Sequence, residues 1–340
     1  MRFSSFALKL TAAGLMMLPL SCNSPAVPKA YVPVAKDEKI TADTGLETVD
    51  PKVDILFLID NSGSMMSHQQ NLSANVNRFV SNFFSKMQVD FHIGVITTDN
   101  SSSHNCCGRL IGTPAYIEKS TPNYQTMLQN RMIVGTSGSG QEMVFDPLLA
   151  AFTEPNLSNA NKGFHRPDAF LAVVIITDAE DQSEAMGPDD TFNYLATLKG
   201  KSEKVLTYGV IVPSGEQNCP RDGSEEPQAI EKFLGLSVTA GSNSFSLCAN
   251  DFGDRLADLG KDLAKRVGNI FYLARVPIPE TIEVQFGSQK VPADPVKGWT
   301  FDPAKNAIVF GPKIDWSTQP VGTKVKVKYD FTQFPDKPKL

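Results

Sequence analysis

Asp60-Asn61-Ser62-Gly63-Ser64 places one carboxylate and two hydroxyls at alternate positions, with a glycine between them that lets the backbone turn tightly. Oxygen donors aimed at a common point suit a hard cation. Mg²⁺ takes near-octahedral oxygen ligands and keeps several waters, so three side-chain oxygens from one loop can hold it with positions open. The same residue types also cap helices, because their oxygens accept backbone N–H groups. What separates the two readings is a second acid far along the chain. Val53 to Ile59 is an apolar run, broken only by Asp54, that ends at Asp60, and Ala169 to Ile176 is another, ending at Thr177-Asp178. Such runs fit strands buried on both faces of a parallel sheet. Ligands of such sheets collect beyond the carboxyl ends of the strands, where Asp60 and Asp178 can reach one ion.

Asp60-Asn61-Ser62-Gly63-Ser64 resembles the Asp-x-Ser-x-Ser motif of the metal-ion-dependent adhesion site in von Willebrand factor type A domains. The resemblance covers Val53 to about Val267. It implies an α/β, doubly wound, mostly parallel sheet and a bound Mg²⁺, Mn²⁺ or Ca²⁺, with Asp60, Ser62, Ser64 and Asp178 as metal ligands. It also implies a protein partner that completes the metal shell with an Asp or Glu carboxylate. In the family a threonine of a middle loop supplies a further oxygen. Gly135 to Glu142 stands at that place, with Glu142 as first choice, then Ser139, and Thr136 as a further alternative; a helix cap with a first-turn acid is the competing reading. The acids of Glu180 to Glu184 either assist the metal or form a solvated turn.

The elements that must position these residues can be read from periodicity. Leu72, Val76, Phe79, Val80, Phe83, Phe84 and Met87 recur at intervals of three and four, which predicts a helix over 69–87 with one apolar face. Asp90 to Thr98 reads as a second strand, with His92 packed or at an edge. A weak strand over 109–117 and a short helix over 122–132 follow. Pro188 and Gly200 bracket a helix, Val205 to Val212 is a third buried strand, and 251–267 carries the last helical pattern. From about Ala274 short runs alternate with Gly, Pro, Asp and Asn, the signature of an antiparallel β module. There Trp299 and Trp316 read as core anchors, and Lys324, Lys326 and Lys328 as a solvated sheet edge.

Four regions result: 1–22 a signal peptide with a lipobox-like end, 23–49 a flexible tether, 50–273 the type A-like domain, and 274–340 a small all-β module. Arg2 and Lys9 precede an apolar stretch, Leu10 to Leu20, too short to span a bilayer. Leu18-Pro19-Leu20-Ser21-Cys22 resembles a bacterial lipobox, with Cys22 lipidated; a simple cleaved signal is the alternative. Asn23 after the cysteine implies the outer membrane, facing the periplasm or the surface. The remaining cysteines, Cys106, Cys107, Cys219 and Cys248, suggest two disulfides in an exported protein. A bridge between neighbours is strained, so Cys106 and Cys107 are each expected to pair with Cys219 or Cys248.

The chain has 340 residues and a net charge of −5, with no basic footprint for nucleic acid. The expected function is non-enzymatic, divalent-metal-dependent protein binding in adhesion or envelope assembly. Two alternatives stand beside it. A Mg²⁺-dependent hydrolase could use the same Asp pocket, yet haloacid-dehalogenase-type phosphatases need a second Asp where Ser62 stands. No Gly-x-Ser-x-Gly elbow appears with a paired His and acid. A metal-independent envelope scaffold is the other.

Overall fold

Val53 to Ile59 are all buried, as a strand covered on both faces requires. The computed structural model describes residues 42–49, 51–86, 89–101, 106–223, 225–237, 243–315, 318–320 and 323–332. Strand β1 (Ala42–Val49) leads through Pro51 into β2 (Lys52–Ile59). Beside β2 lie β3 (Asp90–Thr97) and β5 (Phe170–Thr177), with β4 (Ile117–Glu118), β6 (Val205–Ile211) and β7 (Ser244–Ser246) further out. Their order is β4-β3-β2-β5-β6-β7, parallel throughout except for β4. Ile59 is level with Thr97 and Ile176, so the chains leave β2, β3 and β5 at one height.

Alternate residues of these strands feed two cores. Val53, Ile55, Phe57 and Ile59 pack against α1 (Met66–Lys86), α2 (Tyr124–Met132) and α6 (Phe252–Asn269) through Leu72, Val76, Leu128, Leu256 and Leu263. Leu56 and Leu58 pack on the other face against α3 (Phe145–Ala151), α4 (Pro188–Lys199) and α5 (Gln228–Leu236) through Leu148, Leu195 and Phe233. This is the doubly wound, mostly parallel α/β sheet expected from the sequence. Helix α4 starts at Pro188 and ends where Gly200, at φ 72°, sends its N–H back to the Thr197 carbonyl.

A second set of strands is antiparallel. β1, β13 (Val325–Thr332), β9 (Glu283–Phe286) and β10 (Gln289–Val291) form one sheet in that order, and β11 (Trp299–Asp302), β12 (Ala307–Phe310) and β8 (Ile270–Tyr272) another. Between them lie Val284, Phe286, Trp299, Ile308, Phe310, Val327 and Tyr329. Trp299 is a core anchor whose Nε1–H donates to the Val291 carbonyl at 3.0 Å; Trp316 lies outside the described residues.

Two expectations are corrected here. The tether over 23–49 stops short, because Ala42 to Val49 pair with Thr332 to Val325 along their whole length. Thr-rich and β-branched, the segment finds a partner only at the far end of the chain, which local composition does not reveal. β13 is likewise not an edge. It lies between β1 and β9, and the exposed Lys324, Lys326 and Lys328 alternate with buried Val325, Val327 and Tyr329.

The N-terminal rim of the parallel sheet carries a buried ion network. Asp54, wholly buried in β2, accepts from Arg166 N–H and Nε and from Lys199 Nζ, each at 2.8 Å. His92, also buried, stacks on Tyr116 and sets Nδ1 3.0 Å from the Phe164 carbonyl oxygen.

Candidate metal centre

Five loops meet at the opposite rim: those beyond the carboxyl ends of β2, β3, β5 and β6, and the middle loop that precedes α3. Backbone hydrogen bonds stitch them together: Gly138 N–H to Asn61 O at 2.7 Å, Met143 N–H to Thr98 O at 3.2 Å, Gln182 N–H to Glu142 O at 2.9 Å, and Asp222 N–H to Asp178 O at 3.3 Å. A Cβ at Gly138 would fall 2.3 Å from Asn61 Oδ1, so a side chain there would have to displace the Asn61 amide. Close approach of the middle loop to the Asp60 loop is therefore built into the sequence.

Asp60 is at the centre and has no exposed surface. One carboxylate oxygen accepts from Ser62 N–H at 2.8 Å and Thr98 Oγ1 at 3.3 Å, and the other from Thr177 Oγ1 at 2.7 Å. Burial raises the Asp60 carboxyl above its ordinary range, and these donors pull it back down. The hydroxyls of Ser62 and Ser64 are 2.9 Å apart, and Ser64 Oγ donates to Asp178 Oδ1 at 2.9 Å. Asp60, Ser62, Ser64 and Asp178 thus converge from loops more than a hundred residues apart.

Glu142 joins them, wholly buried, with Oε2 accepting from Gln182 Nε2 at 3.3 Å. Burial and then the Asp60 charge push its carboxyl up to about 7. The same causes, in the same order, push Asp178 up to about 6. Ser139 instead turns back on its own loop, its hydroxyl accepting from Gln141 N–H at 3.0 Å. Among the described residues, Glu142 Oε1 and Asp178 Oδ2 are buried with no hydrogen-bond partner. Buried carboxylate oxygens are ordinarily satisfied, so these two, on residues that feel the Asp60 charge, could hold a cation. The donor set is all oxygen and therefore hard, which fits Mg²⁺, Mn²⁺ or Ca²⁺.

A family model, the von Willebrand factor type A domain, matches residues 54–244, more than half of the chain. The chain belongs to the von Willebrand factor type A family. No curated protein matches this type A chain at significance. Among solved structures it is similar to proximal thread matrix protein 1 from the mussel byssus, at 16% identity over 68% of this chain and 52% of that one, with a TM-score of 0.41. A second form of that protein, at 15% identity over 67% and 50% and a TM-score of 0.40, is described as having a zinc-occupied MIDAS motif. The pilus adhesin SpaC from Lactobacillus rhamnosus GG aligns at 12% identity over 86% of this chain and 40% of its own, with a TM-score of 0.41. The chain spans between 40% and 52% of these structures' lengths.

Several parts of this type A site escaped the sequence reading. Thr98 directly follows β3 at the rim, and a hydroxyl after a buried strand was the available signal. His68 sets Nε2 3.2 Å from the Pro220 carbonyl and 3.9 Å from Asp178 Oδ2, with burial lowering its pKa; nothing in its spacing announced this. Two of the acids after Asp178 hold backbone N–H groups, while Glu184 is exposed. Asp181 Oδ1 accepts the N–H groups of Val144 and Phe145 at the start of α3, at 2.7 and 3.2 Å, and Glu180 Oε2 accepts Ala229 N–H in the first turn of α5 at 2.9 Å. They clamp the helices that frame the rim.

The disulfides also differ from expectation. Cys106 pairs with Cys107, and Cys219 with Cys248 at a Cα–Cα distance of 5.6 Å. Cys107 takes φ 62° and Gly108 φ 73°, folding the loop back so that Cys107 N–H donates to Asp99 O at 3.0 Å. The neighbours therefore close on each other within one turn. Cys22 lies outside the described residues.

Proposed function

We propose that this chain is a divalent-cation-dependent protein-binding module of a bacterial envelope, in adhesion or envelope assembly, and not an enzyme. The observation that carries the reading is the pair of buried, unpartnered carboxylate oxygens of Glu142 and Asp178 beside Asp60. Asp60, Ser62, Ser64, Asp178 and Glu142 would hold the cation. When bound, it supplies positive charge and an open position for a partner's Asp or Glu carboxylate, offsetting the desolvation of that group. Thr177, Thr98 and the Ser62 N–H keep Asp60 in one orientation, and Ser64 does the same for Asp178.

The topology supports display from an N-terminal lipid on Cys22. The described fold begins at Ala42 with β1, whose last residue, Val49, leads through Pro51 into the start of β2, while Asp60 lies at the other end of that eight-residue strand. About 25 Å of strand separates the start of β2 from Asp60, so a chain that arrives through β1 joins the sheet at the rim opposite the proposed cation site.

Isothermal titration with Mg²⁺, Mn²⁺ and Ca²⁺, followed by capture from envelope extracts with and without EDTA, tests the proposal. Wild type should bind a cation and retain partners only without chelator. Asp60→Ala should lose both while keeping its circular dichroism spectrum. Capture that is indifferent to EDTA sinks the mechanism in favour of a scaffold, and turnover of a generic phosphate or ester that vanishes in Asp60→Ala replaces it with a hydrolase.

A further inference from the structure

Beside the oxygen-lined rim, one cluster of side chains brings together donors of a different kind. His68 stands in the first turn of α1, Cys219 in the loop after β6, and Cys248 between β7 and α6; a ring nitrogen of the first and the two sulfurs lie within 4.8 Å of one another. His68 and Cys219 are buried, whereas Cys248 is exposed. The two cysteines are joined in this structure, their Cα atoms 5.6 Å apart. Other bonds hold the same three elements. Asn71 Nδ2, one turn after His68, donates to the Leu247 carbonyl at 3.2 Å, and Leu247 N–H donates to Ile211 O at 2.9 Å. On the Cys219 side, Arg221 Nη2 donates to the carbonyls of Pro213 and Glu216 at 3.0 and 3.2 Å, and His68 Nε2 lies 3.2 Å from the Pro220 carbonyl oxygen. The three donors are therefore kept near one another by contacts that do not depend on the bridge.

We propose that the Cys219–Cys248 bridge opens reversibly and that the two thiolates, with His68, then form a second metal site, for Zn²⁺ or another borderline-soft divalent cation. Two sulfurs and an imidazole nitrogen are donors that suit zinc and not Mg²⁺ or Ca²⁺. Around a tetrahedral zinc such donors stand about 3.5–3.8 Å apart, which these three reach by side-chain rotation once the sulfurs are no longer bonded to each other. The reductant is a dithiol. One of its thiolates attacks the exposed Cys248 sulfur and releases Cys219 as a thiolate; its second thiolate then closes on the first sulfur and releases Cys248. The dithiol is thereby oxidised to a disulfide, and its two electrons and two protons leave the protein with two thiols. Binding of Zn²⁺ expels both thiol protons. Three protein ligands leave a fourth position, which the exposure of Cys248 opens to water or to a partner's donor. Exchange with a disulfide reverses the reaction and releases the metal, so bridge and metal exclude each other. The proposal stands apart from the oxygen site, which takes a harder ion and shares none of these ligands.

The test uses the full chain carrying Cys106→Ser and Cys107→Ser, so that the neighbouring pair adds no thiols. It is reduced with a dithiol, freed of reductant in the absence of oxygen, and titrated with Co²⁺ and then with Zn²⁺. Reduction of the folded chain should add two alkylatable thiols over the oxidised chain, counted by mass. Co²⁺ should then raise the near-ultraviolet thiolate charge-transfer band and the strong visible bands of a tetrahedral sulfur site, and Zn²⁺ should remove them. Oxygen ligands give no such band, and neither should the oxidised chain. His68→Ala should weaken Co²⁺ binding by about tenfold or more, since even the outer partners of metal ligands matter that much, and Cys219→Ser/Cys248→Ser should abolish the band. A bridge that resists the dithiol in the folded chain overturns the proposal, as does a reduced chain without the charge-transfer band. So does a reduced chain whose circular dichroism signature is lost and not restored by Zn²⁺. Unchanged Co²⁺ affinity in His68→Ala overturns the three-ligand site. If the double serine variant does not fold, His68→Ala, which keeps the bridge until reduction, decides.

Discussion

Asp60 and His165 show how one residue type of behaviour, burial of an ionisable group, is resolved in two ways. Asp60 is surrounded by donors and stands among acids, so a cation relieves it. His165 has no such relief: among the described residues its Nε2 is buried with no partner, its ring meets the edge of Phe152, and burial together with the Lys199 charge brings its pKa down to about 4. The folded value lies below the ordinary 6.5, so between pH 6.5 and 4 the unfolded chain takes up a proton that the folded chain refuses. Stability is therefore complete above 6.5 and falls as pH drops towards 4. Allowing for partial exposure, the loss is about 1–2 kcal/mol. His165→Phe keeps a ring against Phe152 without the titrating site, and urea unfolding at pH 7 and pH 4.5 should show a shallower decline than wild type. Equal declines would show that His165 does not carry the effect. The legible residues were those whose type and spacing repeat a known constellation, Asp60, Ser62, Ser64 and Asp178. Glu142 stood as first among alternatives because it is the one nearest the start of a helix. His68 was invisible, because only the fold brings it to the loop after β6 and to Asp178.

At the level of elements, the parallel strands and their helices were readable because burial on two faces demands uninterrupted apolar runs, and half-buried helices demand a stripe. Asp54 interrupts such a run and gave no warning of its partners. Arg166 and Lys199 come from a loop and from the end of α4, and together they fasten both to the start of β2. The side chains of Asp54 and Lys199 are fully buried, so neither tolerates loss of the other. Lys199→Met should cost about 3–5 kcal/mol in denaturant unfolding, because it leaves a buried carboxylate short of a partner. Adding Asp54→Asn should recover part of that loss, since it removes a buried carboxylate left with Arg166 as its one ion-pair partner, while Arg166 keeps Asp90 at 2.9 Å. A double variant less stable than Lys199→Met would show that the network contributes more than mutual neutralisation.

For the molecule as a whole, the consequential pairing is between its two ends. β1 and β13 run antiparallel over eight residues, Ala42 opposite Thr332 and Val49 opposite Val325. Glu47 reinforces the pairing by accepting from the Tyr329 hydroxyl and from Ala274 N–H. The β module is therefore closed by a segment that precedes the type A sheet, so that the whole of that sheet's sequence lies between the module's first strand and the rest. Long separations of this kind were beyond local reading, since closure entropy grows only slowly with length and leaves no local mark. Removing residues 1–49 should uncover the backbone edge of β13, a strand that is central in the intact fold, and expose the face that includes Val325, Val327 and Tyr329. The expected result is early proteolysis within 274–332 and self-association on size-exclusion chromatography, while titration with Mn²⁺ stays near wild type because the metal rim lies at the far end of β2. Removal of 1–41 alone should leave both properties unchanged. A truncation at residue 49 that resists protease as well as the longer chain would mean that β1 only decorates the module.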